Sequence, residues 1–243
     1  MIDNPSAIRF TKLTKSYAGR PVLCGVDLCV DVGAAVGLVG INGAGKTTLI
    51  KCLLDFCAPD GGTIHVFGRD HALPAARSGL AYVPERFSPP HYLRGREFLE
   101  FMHGLSGDLL DTDAALRMLD ELRLDRDVLD RPVRQLSKGM TQKLGLAGCF
   151  LAKRALYILD EPMSGLDPAS RIAVKSVLTR LHQKEGNTLF FTSHVLADVE
   201  ELCSSLAVLD TGRIRFFGAP GDLCARHGES NLERAFMRCI NAD

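Results

Sequence analysis

The stretch Gly40-Ile41-Asn42-Gly43-Ala44-Gly45-Lys46-Thr47 constrains this chain more than any other. It follows the pattern G-x-x-x-x-G-K-[ST], in which a loop links a buried strand to a helix. The context agrees. Residues 34–39 form a continuous run of small apolar residues, as expected of a strand buried on both faces. Residues 46–56 read as a helix that stops before the turn cluster Ala58-Pro59-Asp60-Gly61-Gly62. The glycines let the backbone wrap a polyphosphate with its N–H groups pointing inward, and the positive end of the helix adds to the attraction. From Gly40 through Thr48, every backbone unit of the loop is a candidate contact. Lys46 reaches the outer phosphates, and the Thr47 hydroxyl is placed to ligate Mg²⁺.

A second motif fits the first. Leu156-Tyr157-Ile158-Leu159 reads as a buried strand and ends in Asp160-Glu161. An acid at the C-terminal end of such a strand sits beside the metal, which assigns Asp160 as a Mg²⁺ ligand. Glu161 is then positioned to polarise an attacking water as general base. An Asp-Glu pair can also be an ordinary start of a helix; its place downstream of the loop favours the catalytic reading.

Composition narrows the class. Basic and acidic residues are equal in number, 29 each, and a chain of zero net charge is a poor general binder of nucleic acid. The nine uncharged residues 144–152 near the middle fall far short of the ~20 needed for a membrane span. The opening segment, with Asp3, Asn4, Pro5 and Arg9, has no apolar block of the kind a secretory signal needs. Among eight cysteines, the pairs Cys24/Cys29 and Cys52/Cys57 lack the short spacing of a zinc site. Buried free thiols in a reducing cytoplasm are expected.

The rest of the chain supports an α/β fold. Val22, Cys24, Val26, Leu28 and Val30 alternate with more polar neighbours, the pattern of a half-buried strand. Ser88-Pro89-Pro90 opens a helical stretch, where Ala115, Met118, Leu119 and Leu122 make one apolar stripe. After it, strands over 156–159, 188–192 and 206–209 alternate with helices, and a hairpin turns at Asp210-Thr211-Gly212-Arg213. Such alternation predicts a mainly parallel, doubly wound sheet. The expected organisation is a single domain over 1–243, with an α/β core of 1–84 and 151–217, a helical insert of 85–150 and a tail of 218–243. The tail carries Leu232, Phe236 and Ile240 among arginines and reads as an amphipathic helix that caps the core or helps dimerisation, the cap being favoured.

With three further motifs, residues 8–223 resemble the ATP-binding subunit of an ABC transporter. Leu136-Ser137-Lys138-Gly139-Met140 resembles the family's signature sequence, Ser164-Gly165-Leu166-Asp167 its D-loop, and Ser193-His194 its switch histidine. The resemblance implies a P-loop NTPase core with a mixed, mainly parallel sheet, N-terminal antiparallel strands and a helical insert. It implies ATP and Mg²⁺ as the bound species, and a dimer with two ATPs sandwiched between one copy's loop and the other's signature helix. Ser137 and the Gly139 N–H would bind the partner's γ-phosphate, His194 would contact the γ-phosphate in its own chain, and Tyr17 would stack on adenine, unless it is packing. The second ATP-binding subunit would be another copy or a paralogue. The pair would drive a separate integral membrane permease, with no nucleic-acid partner, from the cytoplasmic face of the cell membrane. Phe87, Tyr92 and Phe98 are candidates for docking that permease, with core packing the alternative for each.

Two departures stand out. Glu85 follows Tyr82-Val83-Pro84 where the family usually carries Gln, and Lys138 and Met140 replace Gly and Gln in the signature. Lys138 either places a positive charge near the partner's phosphate or is simply solvated. These variant forms resemble the exporter-type branch. Two rivals remain: an ABC-type ATPase acting on DNA or ribosomes, against which stand one cassette and no heptads, and a nucleotide-gated module without turnover. Glu85 offers a further, harder Mg²⁺ ligand, and its charge would repel the γ-phosphate. Glu85→Gln is therefore expected to alter the Mg²⁺ dependence or pH profile of ATP hydrolysis; steady-state assays with all three of rate, Mg²⁺ dependence and pH profile unchanged would remove that role.

Overall fold

The structure, a computed structural model, describes residues 5–105 and 107–241. Asp3 and Asn4 of the opening segment, and the last two residues of the tail, lie outside the described residues. Two sheets carry the fold. The first is antiparallel and is built from β1 (Ser6–Tyr17), β2 (Arg20–Asp31), β4 (Gly61–Val66) and β5 (Arg69–Asp70), in the order β2-β1-β4-β5. The second runs β10-β9-β3-β8-β7-β6, with β3 (Ala35–Val39), β6 (Leu80–Val83), β7 (Leu156–Leu159), β8 (Thr188–Thr192), β9 (Ser205–Asp210) and β10 (Arg213–Gly218). All its neighbouring pairs are parallel except the β9–β10 hairpin.

The inner strands of this second sheet are buried on both faces, and the period of two along a strand divides their side chains between two cores. Val36, Leu38, Leu156, Ile158 and Phe190 face the first core, which the antiparallel sheet and α1 (Lys46–Leu53) complete with Ile8, Phe10, Leu49, Ile50 and Leu53. Val39, Tyr157, Leu159, Leu189 and Phe191 face the second. That second core continues into the helical stretch, where α3 (Gly95–Gly104), α4 (Thr112–Glu121) and α5 (Lys138–Leu151) contribute Phe98, Leu119 and Leu144. The predicted stripe Ala115, Met118, Leu119 and Leu122 is buried throughout. α6 (Pro168–Gln183) and α7 (Leu196–Leu202) cover the same face. In the tail, α8 (Pro220–His227) leads to α9 (Leu232–Asn241), which buries Leu232, Ala235, Phe236 and Cys239 against this core as a cap. A four-residue helix, α2 (Pro74–Arg77), lies between the sheets' strands β5 and β6 in the chain.

Three expectations change. The helix after the loop ends at Leu53 rather than at residue 56, because Asp55 takes a left-handed φ of 61° and the Phe56 N–H reaches back to the Lys51 carbonyl at 2.8 Å. This is a Schellman-type stop without glycine, for which the apolar pattern gives no warning. In β2, Leu23 rather than Val22 or Cys24 is buried, whereas Val26, Leu28 and Val30 are buried as expected. The cause is a bulge: Leu13 pairs with Val26 but Thr14 pairs with Cys24, which leaves Gly25, at φ 81°, as the extra residue and reverses the alternation before it. Finally, Cys24, Cys29, Cys57 and Cys224 are only half-buried, while Cys52, Cys149, Cys203 and Cys239 are buried.

The hairpin turn between β9 and β10 clips the phosphate-binding loop into place. Gly212 donates its N–H to the Ala44 carbonyl at 3.2 Å, and its own carbonyl accepts from the Cys24 N–H at 2.8 Å. Gly212 sits at φ 75°, and a Cβ there would fall 2.4 Å from the Val22 carbonyl oxygen. Gly212→Ala is expected to destabilise the fold by about 2–4 kcal/mol, seen as a melting temperature lowered by roughly 5–10 °C in calorimetry.

Candidate functional site

The parallel strands end flush, and this alone gathers the site. Leu38 pairs with Thr192, Leu159 with Phe191, and Val83 with Leu159. The residues just past these pairs therefore meet at one edge of the sheet, where α/β folds place their ligands. A cavity of about 620 Å³ opens there. Of the residues expected from the sequence, Asn42, Gly43, Ala44, Gly45, Lys46, Thr47, Thr48, Glu85, Asp160, Glu161 and His194 line it. Val22, not expected from the sequence, joins them.

α1 begins at the floor of this cavity with Gly45 as N-cap, at φ 111°, and no side chain caps its first N–H groups. Those donors are left for a ligand, and the helix end favours an anion. Gly40 and Ile41 do not line the cavity, but their carbonyls accept from Lys46 Nζ at 2.6 and 3.4 Å. Burial lowers the Lys46 pKa, and the nearby carboxylates of Glu161, Asp160 and Glu85 raise it. The ammonium is thus held over the loop with three acids around it.

Asp160 is buried, and its pKa is raised first by that burial. A hydrogen bond from Thr192 opposes the rise, Glu85 adds to it and Lys46 opposes it. Thr192 Oγ1 donates to Asp160 Oδ1 at 2.7 Å and accepts the Glu161 N–H at 2.8 Å. Glu161 itself adopts a left-handed φ of 49°, a strained conformation for a residue with a side chain. Its carboxylate meets His194 Nδ1 at 2.7 Å, and since a carboxylate only accepts, Nδ1 carries the proton. The His194 side chain remains 61% exposed. Sequence reasoning did not single out Thr192; the available signal was a hydroxyl closing an otherwise apolar buried strand, immediately before Ser193-His194.

Other predicted residues lie elsewhere. Tyr17 does not line the cavity; it stands at the end of β1 with 45% exposure, its hydroxyl donating to Cys57 Sγ at 3.5 Å, a contact that together with burial raises its pKa. Ser137 and Gly139 also lie outside it. Ser137 is the N-cap of α5, its Oγ accepting from the Met140 N–H at 3.2 Å. The Lys138 side chain occupies the space over Gly165, so the signature and D-loop segments touch, and Asp167 caps α6 by accepting from the Ser170 N–H at 3.0 Å. A second cavity, of about 490 Å³, is bordered by Glu85, Phe87 and Pro89 on one side and Leu136, Lys138 and Gln142 on the other. Glu85 thus borders both cavities. Phe98 is core, and Phe87 packs edge-on against it at 5.5 Å, whereas Tyr92 is 79% exposed.

Among the described residues, no group of three or more His, Cys, Asp or Glu side chains is arranged to hold a metal ion. Thr47, Asp160 and Glu85 nevertheless supply hard oxygen donors to the same cavity, a set that fits Mg²⁺ completed by phosphate oxygens and water. The fold and this edge-of-sheet cavity define a nucleotide-hydrolysing α/β protein of the phosphate-loop kind.

The sequence matches the ABC transporter family over residues 23–164, and the chain belongs to that family. It is 34% identical over 247 residues to the ABC-type transporter ATP-binding protein EcsA of Bacillus subtilis, an alignment covering 98% of each chain. It is 32% identical to the Nod factor export ATP-binding protein I of Rhizobium etli, covering 90% of this chain and 70% of that one. Its fold superimposes on a solved ATP-binding subunit of an ABC transporter with a TM-score of 0.87 and 30% identity, covering 96% of this chain and 99% of the other. The dimeric cassette MJ0796, solved with ADP and phosphate, shares the fold at a TM-score of 0.80 and 19% identity over 87% of this chain and 98% of that one. The chain is accordingly an ATP-binding, ATP-hydrolysing cassette.

Because Thr192 holds both acids, Thr192→Val removes the bond that keeps the Asp160 pKa down and the acceptor for the Glu161 N–H. The Asp160 pKa is expected to rise further, so that a higher pH is needed to ionise it, and ATP turnover to fall roughly 10- to 100-fold. Carboxyl ¹³C shifts of the metal-free protein across a pH titration and steady-state ATPase rates check the two parts separately.

Proposed function

We propose that this chain is the motor subunit of an exporter-type ABC transporter, dimerising around ATP on the cytoplasmic face of the cell membrane and driving a separate integral membrane permease. The observation that carries the reading is the single cavity in which uncapped helix N–H groups, Lys46, Asp160, Glu161, His194 and Glu85 converge. The export direction draws support from the name of the Nod factor export relative and from the sequence forms around Glu85 and Ser137. None of the described helices is long and apolar enough to cross a membrane, which is consistent with a permease on another chain.

The residues divide the work as follows. The N–H groups of the loop from Gly40 to Thr48 cradle the phosphates, and Lys46 leaves the Gly40 carbonyl to meet the outer ones. Thr47 and Asp160 hold Mg²⁺, with Glu85 as an additional oxygen donor; the ion, when bound, neutralises charge on the β- and γ-phosphates. Glu161, fixed by Thr192 and paired with His194, orients and deprotonates the attacking water. His194 exchanges its bond to Glu161 for one to the γ-phosphate and so reports its presence. Tyr17 stacks on adenine. Ser137 and the Gly139 N–H close the phosphate of a second subunit, consistent with their position outside this chain's own cavity and with the dimeric state of the MJ0796 cassette. Glu85, on the border of both cavities, relays nucleotide state to the helical insert, where exposed Tyr92 is the remaining docking candidate of the three aromatics.

Glu161→Gln removes the base and preserves the shape, so it should lower ATP hydrolysis at least ~100-fold and trap an ATP-dependent dimer. Light scattering with and without ATP·Mg²⁺ tests this. A protein that binds ATP tightly yet stays monomeric would overturn self-pairing of the isolated chain, so that either the permease aligns the two halves or the mate is a paralogue.

A further inference from the structure

Behind the phosphate-binding loop, two thiols face each other. Cys52 lies in the last turn of α1 and is fully buried, and Cys57 is half-buried in the segment that turns back over that helix end. Their sulfurs are 3.5 Å apart. The reversal at Asp55 brings them together, with the Phe56 and Cys57 N–H groups both directed to the Lys51 carbonyl at 2.8 and 3.4 Å. Three groups surround the pair. The Tyr17 hydroxyl donates to Cys57 Sγ, Lys15 Nζ lies over the Tyr17 ring at 5.4 Å from its centre, and Asp60 holds that ammonium at 2.9 Å. Thr48 sits one helical turn before Cys52 on the same face of α1.

We propose that Cys52 and Cys57 are a redox modification site, closed to a disulfide by a peroxide and reopened by a thiol reductant, whose closure weakens nucleotide binding. The loss of affinity rests on Tyr17 contacting adenine; the disulfide itself does not. Cys57 is the thiol an oxidant reaches, being half-exposed where Cys52 is buried. Its thiolate attacks hydrogen peroxide: an S–O bond forms, the O–O bond breaks and hydroxide leaves, giving the sulfenic acid. Cys52 sulfur then attacks that sulfur, the S–O bond breaks, and the departing hydroxide takes the Cys52 proton as water. Sulfur is oxidised by two electrons in all, and the peroxide is reduced. Cys52 keeps its proton until this step, since burial and then the contact with Cys57 push its pKa to about 12.

Closure turns the Cys57 sulfur toward α1 and away from the Tyr17 hydroxyl, which loses its partner. The ring is then held less firmly at the end of β1. The strain of closure falls on α1 a turn below Thr48, at the other end of the helix that carries the phosphate site.

The test uses the whole chain. Trypsin cuts after Lys51 and after Arg69, so one peptide carries both thiols and no other cysteine. After hydrogen peroxide and then N-ethylmaleimide, that peptide should be unlabelled and lighter by two hydrogens, and dithiothreitol should restore labelling. The Kd for a fluorescent ATP analogue should rise roughly three- to tenfold on oxidation and return on reduction. Cys52→Ala and Cys57→Ser should each bind the analogue as the reduced protein does; Cys57→Ser should be indifferent to peroxide, whereas Cys52→Ala should stop at a sulfenic acid on Cys57 and form no disulfide. Labelling of both thiols after peroxide overturns the proposal, and so does a mapped disulfide with unchanged Kd. Reduced Tyr17→Ala separates the two layers: an unchanged Kd there overturns the adenine contact, on which the peptide map does not depend.

Discussion

Asp160 is an acid kept in a buried place at the end of β7, and the hydroxyl of Thr192 on the neighbouring strand holds it there. The same hydroxyl accepts the Glu161 N–H, so one oxygen sets the proposed metal-binding acid and the proposed base relative to each other. Parallel pairing of β7 with β8 makes this possible, because Leu159 opposite Phe191 leaves Asp160 beside Thr192. A slip of one residue would turn every side chain of the strand to the other face and separate the two groups. The loop of β3, the connector after β6 and His194 after β8 inherit their positions from the same register.

Electrostatics tie these pieces into one unit. Lys46 faces Glu161, Asp160 and Glu85, and its charge is favoured by them while burial disfavours it. The ammonium rests on the Gly40 carbonyl, and the helix N-terminus beneath it has no capping side chain. The cavity therefore presents positive donors on its floor and carboxylates on its wall, an arrangement suited to a polyphosphate carried with a divalent cation. Glu85 gives this chain one more negative charge on that wall than the usual amide would, and the second cavity places the effect next to the signature helix.

The two departures from expectation in the N-terminal half have local causes that pattern analysis does not register. The bulge at Gly25 inverts the facing of Val22 and Cys24, and the left-handed Asp55 ends α1 early. The second of these matters most, because it folds the chain back and brings Cys57 to Cys52 and to Tyr17. In the insert, by contrast, the stripe from Ala115 to Leu122 was legible because a helix of period 3.6 shows one apolar face to the core. Phe87, Tyr92 and Phe98 were not separable by sequence, since exposure depends on which helix lies opposite.

The sequence by itself determined the chemistry: a loop whose glycines and lysine admit phosphates, an Asp-Glu pair after an apolar strand, and a polar Ser-His after another. Residue type and spacing along the chain suffice there, because backbone flexibility and charge are local properties. Only the tertiary structure decided which groups meet. Thr192 bridging two acids, Glu85 bordering two cavities and the Cys52–Cys57 pair all depend on strand register and on a helix terminus. Those are settled by burial summed over two cores, a quantity that no short motif contains.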